Sequence, residues 1–159
     1  MKERDMRPAV TDWLVRMGYR VGYELSPGRV GFYADVVGVL FAPRIGRSIP
    51  DLLQVVAVEL KLRDLPGVLA QARWNAQWAH ASYAAMPAEF FKQKMTRARQ
   101  RHLDEFGDSG IGLLSVNVQS GDVRFVVSFG RNYPPYDRGR ERRYWWRVYQ
   151  RGIRKEIGK

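Results

Sequence analysis

The chain has 159 residues, a length typical of one domain, and 45% of them are hydrophobic, which is enough to build a core. Lys and Arg total 27 against 16 Asp and Glu, and the resulting net charge of +11 favours a polyanionic partner, usually nucleic acid and less often a membrane surface. Because there is no cysteine, disulfides, thiolate zinc sites and cysteine nucleophiles are excluded.

Targeting and membrane signals are missing from the sequence. Residues 1–10 have no apolar segment of the length found in a signal peptide. No stretch approaches the roughly 20 apolar residues that a membrane-spanning helix needs. We therefore expect a cytoplasmic protein with no membrane partner.

The first half of the chain is predicted to form a helix and three strands. Apolar residues recur at helical spacing over residues 7–17, and Gly18 is expected to end that helix. Apolar segments separated by Pro- and Gly-containing turns predict strands over residues 19–25, 31–41 and 52–62. The third segment is almost continuously apolar, which is typical of a strand in the centre of a sheet.

The second half of the chain is predicted to add two helices and three strands. In chain order these are a helix, a short strand, a second helix and a hairpin, over residues 68–82, 83–86, 87–106, 111–118 and 122–129. The element order predicts a mixed α/β domain over residues 1–130, with a central sheet flanked by helices. Residues 131–159 hold most of the excess positive charge and are interpreted as a basic, aromatic-rich C-terminal extension.

Two charged residues interrupt the third predicted strand. Glu59 and Lys61 are one residue apart, so in a strand their side chains project from the same face. A charge inside an apolar strand is costly unless it is paired or binds a metal. Taken alone, this short pattern is also what an ordinary salt bridge at a strand end looks like.

Asp35 favours the metal-binding interpretation. It lies in the preceding apolar strand, so pairing of the two strands would bring both carboxylates within reach of one divalent cation. Oxygen ligands suit Mg²⁺ or Mn²⁺, and Mg²⁺ typically takes only one or two carboxylates together with water and phosphate. A lysine beside such a metal can orient or deprotonate the attacking water, or neutralise charge that develops on a scissile phosphate.

The sequence Asp35, followed by 23 residues and then Glu59-Leu60-Lys61, resembles the signature of the PD-(D/E)xK superfamily of restriction-endonuclease-like nucleases. The surrounding order of a helix, three strands, a helix and a strand is similar to the αβββαβ core of that superfamily. The resemblance covers about residues 7–118, although Ala34 stands where the signature has a proline. It implies a DNA phosphodiesterase that depends on Mg²⁺ or Mn²⁺, and small members of the superfamily often act as homodimers.

Carried over to this chain, the resemblance implies that Asp35, Glu59 and the Leu60 carbonyl oxygen bind the metal. Lys61 would be the catalytic lysine.

Two further residues resemble accessory positions of the superfamily. Gln71 is similar to a glutamine found after the lysine strand in several branches, where it would hold Lys61 or a phosphate. The alternative is a solvated helix face that Gln71 shares with Asn75. Glu24 resembles an additional acid that acts as a metal ligand or base, but its position beside a predicted turn also suits a solvated side chain.

Basic and aromatic residues predict a nucleic-acid-binding surface. Guanidinium groups bind phosphates, and aromatic rings stack on unpaired bases. If residues 144–155 are helical, one stripe can dock on the domain while another faces outward. The docking stripe is Trp145, Val148, Tyr149 and Gly152, and the outward one is Trp146, Arg147, Arg151 and Arg154. The alternative is a helix that only packs, with arginines that keep it soluble. The residues expected to contact nucleic acid are Arg44, Arg47, Arg73, Lys92, Lys94, Arg97, Arg142, Arg143, Trp146, Arg147 and Arg151.

The sequence thus predicts a metal-dependent nuclease that acts on DNA. A structure-preferring or non-specific endonuclease is favoured, because little of the chain remains for a target-recognition domain. The main alternative is a nucleic-acid-binding protein that keeps the nuclease fold without catalysis. A peripheral membrane protein is the third, and it would require a lysine-rich amphipathic helix that the arginine-rich extension does not provide.

Overall fold

A computed structural model describes residues 1–27, 33–130 and 138–153 of the chain. A 3₁₀ turn at Glu3–Met6 precedes the first helix. The elements that follow are α1 (Arg7–Arg16), β1 (Arg20–Leu25), β2 (Ala34–Phe41), β3 (Leu52–Leu60), α2 (Leu65–Asn75), β4 (Ala81–Pro87), α3 (Ala88–Phe91), α4 (Arg97–Ser109), β5 (Gly112–Val116), β6 (Val123–Val127) and α5 (Arg138–Arg151).

The six strands form one mixed sheet in which they lie side by side in chain order. β1, β2 and β3 are antiparallel, β3, β4 and β5 are parallel, and β6 is antiparallel to β5. Alternate residues of the central strands enter different core clusters, one formed with α1 and the others with α2, α4 and α5. Helices therefore cover both faces of the sheet, which confirms the predicted mixed α/β class.

The predicted boundary between the second helix and the fourth strand was wrong. Helix α2 ends at Asn75 instead of residue 82, and β4 begins at Ala81. Every residue of β4 is buried, and the strand pairs in parallel with β3 on one side and β5 on the other. Alanine is a strong helix former, but here the position between two strands overrides its local preference.

The predicted helix over residues 87–106 is divided in two. The Thr96 hydroxyl caps a new helix by accepting a hydrogen bond from the Arg99 backbone N–H at 3.2 Å. The Arg99 guanidinium donates to the carbonyl oxygens of Phe90 and Gln93, which holds the connecting segment against α4. These contacts join residues up to nine positions apart, so helical periodicity does not reveal them.

Helix α5 packs on β1, β2 and β3. The Trp145 side chain is fully buried and stacks on Trp78 with ring centroids 5.7 Å apart. Val148 and Tyr149 pack against the same cluster. The stripe of Trp145, Val148 and Tyr149 thus docks on the sheet, and Trp145 supplies part of the core.

Candidate active site

Asp35 and Glu59 lie opposite each other on paired strands. The β2–β3 register aligns Val36 with Val58, so the adjacent positions, Asp35 and Glu59, face each other and project from the same side of the sheet. A side-chain hydrogen bond joins the two carboxyl groups. The Leu60 backbone N–H donates to Asp35 Oδ2 at 2.8 Å, which orients the Asp35 carboxylate.

Glu59 is buried, with only 5% of its surface exposed. Burial above all, together with the negative charge and hydrogen bond of Asp35, raises the pKa of Glu59 from 4.5 to about 8. The Asn75 amide opposes this by donating to Glu59 Oε1 at 2.6 Å, and the charge of Lys61 also lowers the pKa. At neutral pH the Glu59 carboxyl group therefore holds its proton.

Lys61 directly follows the last residue of β3. Its backbone N–H donates to the Ala85 carbonyl at 3.0 Å, so the bonding between β3 and β4 continues for one residue beyond Leu60. The Lys61 Nζ lies 3.5 Å from Glu3 Oε1 in the N-terminal turn. The charge of Lys61 thus lowers the pKa of Glu59, while its amine is paired with a carboxylate from another element.

Glu24 occupies the third position in the same row across the sheet. The β1–β2 register aligns Tyr23 with Val36 and Leu25 with Ala34, which places Glu24 beside Asp35. Its backbone adopts a left-handed φ of 53°, which is uncommon for a residue other than glycine.

The Glu24 side chain bonds to an arginine and does not join the carboxyl pair. Glu24 Oε1 lies 2.7 Å from Arg7 Nη2, and the same Nη2 is 3.8 Å from Asp35 Oδ1. Over the described ranges, no group of three or more Asp, Glu, His or Cys residues is arranged to hold a metal ion. Asp35 and Glu59 are the two carboxyl groups that the strand register brings face to face at this site.

Sequence reasoning did not assign three residues that the structure brings to this site. Glu3 and Arg7 reach it from the N-terminal turn and from the start of α1, and no local motif marks them. Asn75 reaches Glu59 from α2. Its predicted position on the face of Gln71 was the available signal, because the two are four residues apart. Gln71 itself is exposed, one turn before Asn75.

Arg44 and Arg47, which are predicted to contact nucleic acid, do not lie beside the carboxyl pair. They belong to the loop between β2 and β3, whereas Asp35 is near the opposite end of β2. The span from Asp35 to Phe41 is about 20 Å at about 3.3 Å per residue. Arg44 instead bonds to carbonyl oxygens of its own loop and lies over the Trp146 ring at 5.8 Å.

The basic residues predicted to bind nucleic acid from the helical layer have different surroundings. Arg73 donates two hydrogen bonds, at 3.1 and 2.7 Å, to Ser109 at the end of α4. Lys92, Lys94 and Arg97 are exposed on the segment that follows β4 and α3. Because β3 and β4 are parallel, this segment follows β4 at the same end of the strands as Glu59.

Trp146 does not face outward as predicted. Its ring packs on Phe41 at 5.1 Å and on Tyr149 at 5.3 Å, because these apolar rings are better buried than solvated. Arg154 lies outside the described residues.

The arginines of α5 differ in their surroundings. Arg142 lies 3.4 Å from Asp51 Oδ1, while Arg143, Arg147 and Arg151 are exposed.

Comparison with known proteins supports the fold alone. No protein-family model matches the chain, and no curated protein is similar to it. The chain is similar to the solved structure of the SPO1766 protein of unknown function from Silicibacter pomeroyi, with a TM-score of 0.54 and 17% sequence identity. The match covers 92% of this chain and 82% of that one. In the part of the chain that the structure describes, no helix is both long and apolar enough to span a bilayer.

Proposed function

We propose that the chain is a metal-dependent nuclease that hydrolyses phosphodiester bonds in DNA, as its resemblance to the PD-(D/E)xK superfamily implies. The observation that carries the proposal is the pairing of Asp35 with Glu59 beside Lys61. This arrangement differs from an ordinary surface salt bridge, because Glu59 is almost fully buried and lies next to a second carboxyl group. A carboxyl group buried next to a second acid is stable only when a proton or a cation neutralises its charge.

The carboxyl pair fits Mg²⁺ or Mn²⁺. Asp35 and Glu59 would hold the cation, with the Leu60 carbonyl oxygen as a further ligand, and one or two carboxylates are what Mg²⁺ commonly takes. The raised pKa of Glu59 shows that a proton, or a cation in its place, is favoured at this position. A bound cation would supply a nucleophilic water and stabilise charge on the phosphate.

The surrounding residues give this pair its orientation. Asn75 holds Glu59 from α2, and the Leu60 backbone N–H holds Asp35 from β3. The Lys61 amine would orient or deprotonate water, or neutralise a developing negative charge. Glu3 Oε1 lies 3.5 Å from the Lys61 Nζ and holds this side chain in place.

The general fold and the distribution of charge support the same proposal. The order of α1, three antiparallel strands, α2 and a parallel strand is the order that the resemblance implies. The segment after β4 lies at the same end of the strands as Glu59 and exposes three cations, Lys92, Lys94 and Arg97. These cations can bind a DNA phosphate backbone. We also propose that the nuclease is a structure-preferring or non-specific endonuclease. A cytoplasmic location and a homodimer are part of the same proposal.

One observation favours a second function, nucleic-acid binding without cleavage. Lys61 Nζ pairs with Glu3 at 3.5 Å, and a lysine retained in that ion pair would not act on water. In that case the exposed arginines would bind DNA while the carboxyl pair served only as a protonated structural contact.

Cleavage assays distinguish the two functions. Labelled single-stranded, duplex, flapped and four-way-junction DNA are incubated with Mg²⁺, Mn²⁺ or EDTA, and binding is followed in parallel by gel shift. Lys61→Ala is compared with Arg124→Ala, which removes an exposed cation of β6, the strand at the opposite edge of the sheet from β1. The nuclease proposal predicts metal-dependent cutting that Lys61→Ala abolishes and Arg124→Ala retains. Binding without cutting on every substrate would establish the second function instead.

A further inference from the structure

A groove runs between the outer edge of β1 and helix α5. It has a volume of about 540 Å³, within the range of ordinary ligand sites. Its apolar floor is formed by Val21, Leu25 and Val148, and its rim carries Arg147 and Arg151. Because β1 is an edge strand of the sheet, this groove is open along one side.

The edge of β1 presents backbone polar groups to the groove. Val21 exchanges two hydrogen bonds with Ile153, at 3.0 and 3.4 Å, so the backbone groups of Val21 point away from β2. In an antiparallel strand the residue two positions on points its N–H and C=O the same way. The Tyr23 backbone therefore faces the groove, where it can bond to a polar occupant.

The charge on the rim selects an anion. Arg147 and Arg151 are exposed and four residues apart on α5, so they lie on one helix face with Cβ atoms about 5–6 Å apart. The ten residues that line the groove include both arginines and no Asp or Glu. Two successive phosphates of an extended strand can each meet one guanidinium group.

One end of the groove opens beside the carboxyl pair. Leu25, which lines the groove, pairs with Ala34, the residue directly before Asp35. Neighbouring strands are about 4.8 Å apart, so the distance from this end of the groove to Asp35 is short. The Tyr144 hydroxyl donates to the Ser26 carbonyl at 2.9 Å and fixes α5 to the end of β1 at this point.

We propose that this groove binds one single strand of DNA and leads it to Asp35 and Glu59. The strand would place phosphates on Arg147 and Arg151 and its sugar and base edges on the apolar floor. Helix α5 packs on the sheet of which β1 is the edge and bounds the groove along one side, which suits one extended strand. Single-stranded tails, as in flaps and overhangs, are therefore the substrate class. The role in cleavage rests on the nuclease proposal, whereas strand binding in the groove does not.

Binding is measured in EDTA, so that no metal-dependent cleavage occurs. The assay is fluorescence anisotropy of a labelled oligothymidine of about 12 nucleotides at several salt concentrations. Arg147→Glu and Arg151→Glu are each compared with Arg124→Glu, which makes the same charge change on the exposed face of β6 at the far edge of the sheet. Each groove variant is expected to weaken binding at least about tenfold and to reduce the salt slope by about 0.7, the value for one lost single-strand phosphate contact. Arg124→Glu is expected to change neither by as much. Arg147→Lys should keep most of the binding, and thermal melting checks that every variant is folded.

The outcomes separate the groove from the nuclease. Equal weakening by all three Glu variants, or an unchanged salt slope in the groove variants, would overturn the groove proposal even if the wild type cuts DNA. Selective loss of binding in the groove variants would support it even if no metal produces cleavage, and only the nuclease proposal would then fail. With Mg²⁺ present, both proposals together predict that an overhang is cut faster than a blunt duplex.

Discussion

Replacing Glu59 by glutamine tests the environment of the carboxyl pair without disturbing its geometry. A glutamine can accept the Asn75 hydrogen bond through its carbonyl oxygen and donate to Asp35 through its amide group. Unlike Glu59, it does not ionise. The substitution therefore keeps the contacts and removes the titration.

The magnitude follows from the pKa of Glu59, which burial raises from 4.5 to about 8. Since the folded protein holds this proton more tightly than the unfolded chain, its stabilising contribution is fully present below pH 4.5 and is lost as the pH rises through about 8. At about 1.4 kcal/mol for each pH unit between the two values, the loss is on the order of 5 kcal/mol. Without metal, the Glu59→Gln variant should escape this loss and become more stable than the wild type above pH 8.

The assay is urea unfolding in EDTA at pH 5, 7 and 9, for the wild type and Glu59→Gln. Glu89→Gln serves as the control, because Glu89 is exposed on α3 and its removal should leave the pH dependence unchanged. The stability difference between Glu59→Gln and the wild type should grow steadily from pH 5 to pH 9. A difference that stays constant over this range would refute the reasoning, because Glu59 would then titrate alike in both states.

Three further predictions follow from the same contacts. Mg²⁺ at 100 times its Kd should stabilise the wild type by about 2.7 kcal/mol at pH 9. The stabilisation should be much smaller at pH 6, where the Glu59 ligand keeps its proton, and nearly absent in Glu59→Gln, which lacks the carboxylate. Differential scanning fluorimetry measures the stabilisation. Asn75→Ala should destabilise the protein by about 1–3 kcal/mol in urea and raise the pKa of Glu59 further, and an unchanged midpoint would contradict the buried hydrogen bond. Trp145→Ala should cost about 3–5 kcal/mol, and Trp74→Ala should cost clearly less because 42% of Trp74 is exposed. Equal losses in both tryptophan variants would place α5 outside the core.

Strands β2 and β3 could be predicted from the sequence because both of their faces are buried. Their apolar runs are interrupted only where a side chain has a polar role, so Asp35 and Glu59 stood out before the register was known. The pairing of these two residues follows from the antiparallel connection between neighbouring strands. These are local patterns, which sequence reasoning handles well.

Contacts between distant segments could not be predicted in the same way. Arg7 reaches Glu24 and Asp35 across 17 and 28 positions, and neither helix α1 nor its composition marks that residue for the site. Arg44 precedes the Glu59 strand closely in the sequence, yet a strand length separates it from the carboxyl pair. The local sequence pattern predicts which polar residues lie within buried strands. The direction of each strand determines which of these residues lie at the same end of the sheet.

The most direct test of the nuclease proposal is the cleavage rate of Glu59→Gln with Mg²⁺ at pH 8.5, on the substrate that the wild type cuts fastest. This variant is expected to be folded and at least as stable as the wild type, so lost activity cannot come from unfolding. We predict that DNA binding is retained while cleavage falls at least about 100-fold, because the variant lacks one of the two carboxylates that would hold the metal. Cleavage at the wild-type rate by this variant would contradict the assignment of Asp35 and Glu59 as the metal-binding pair.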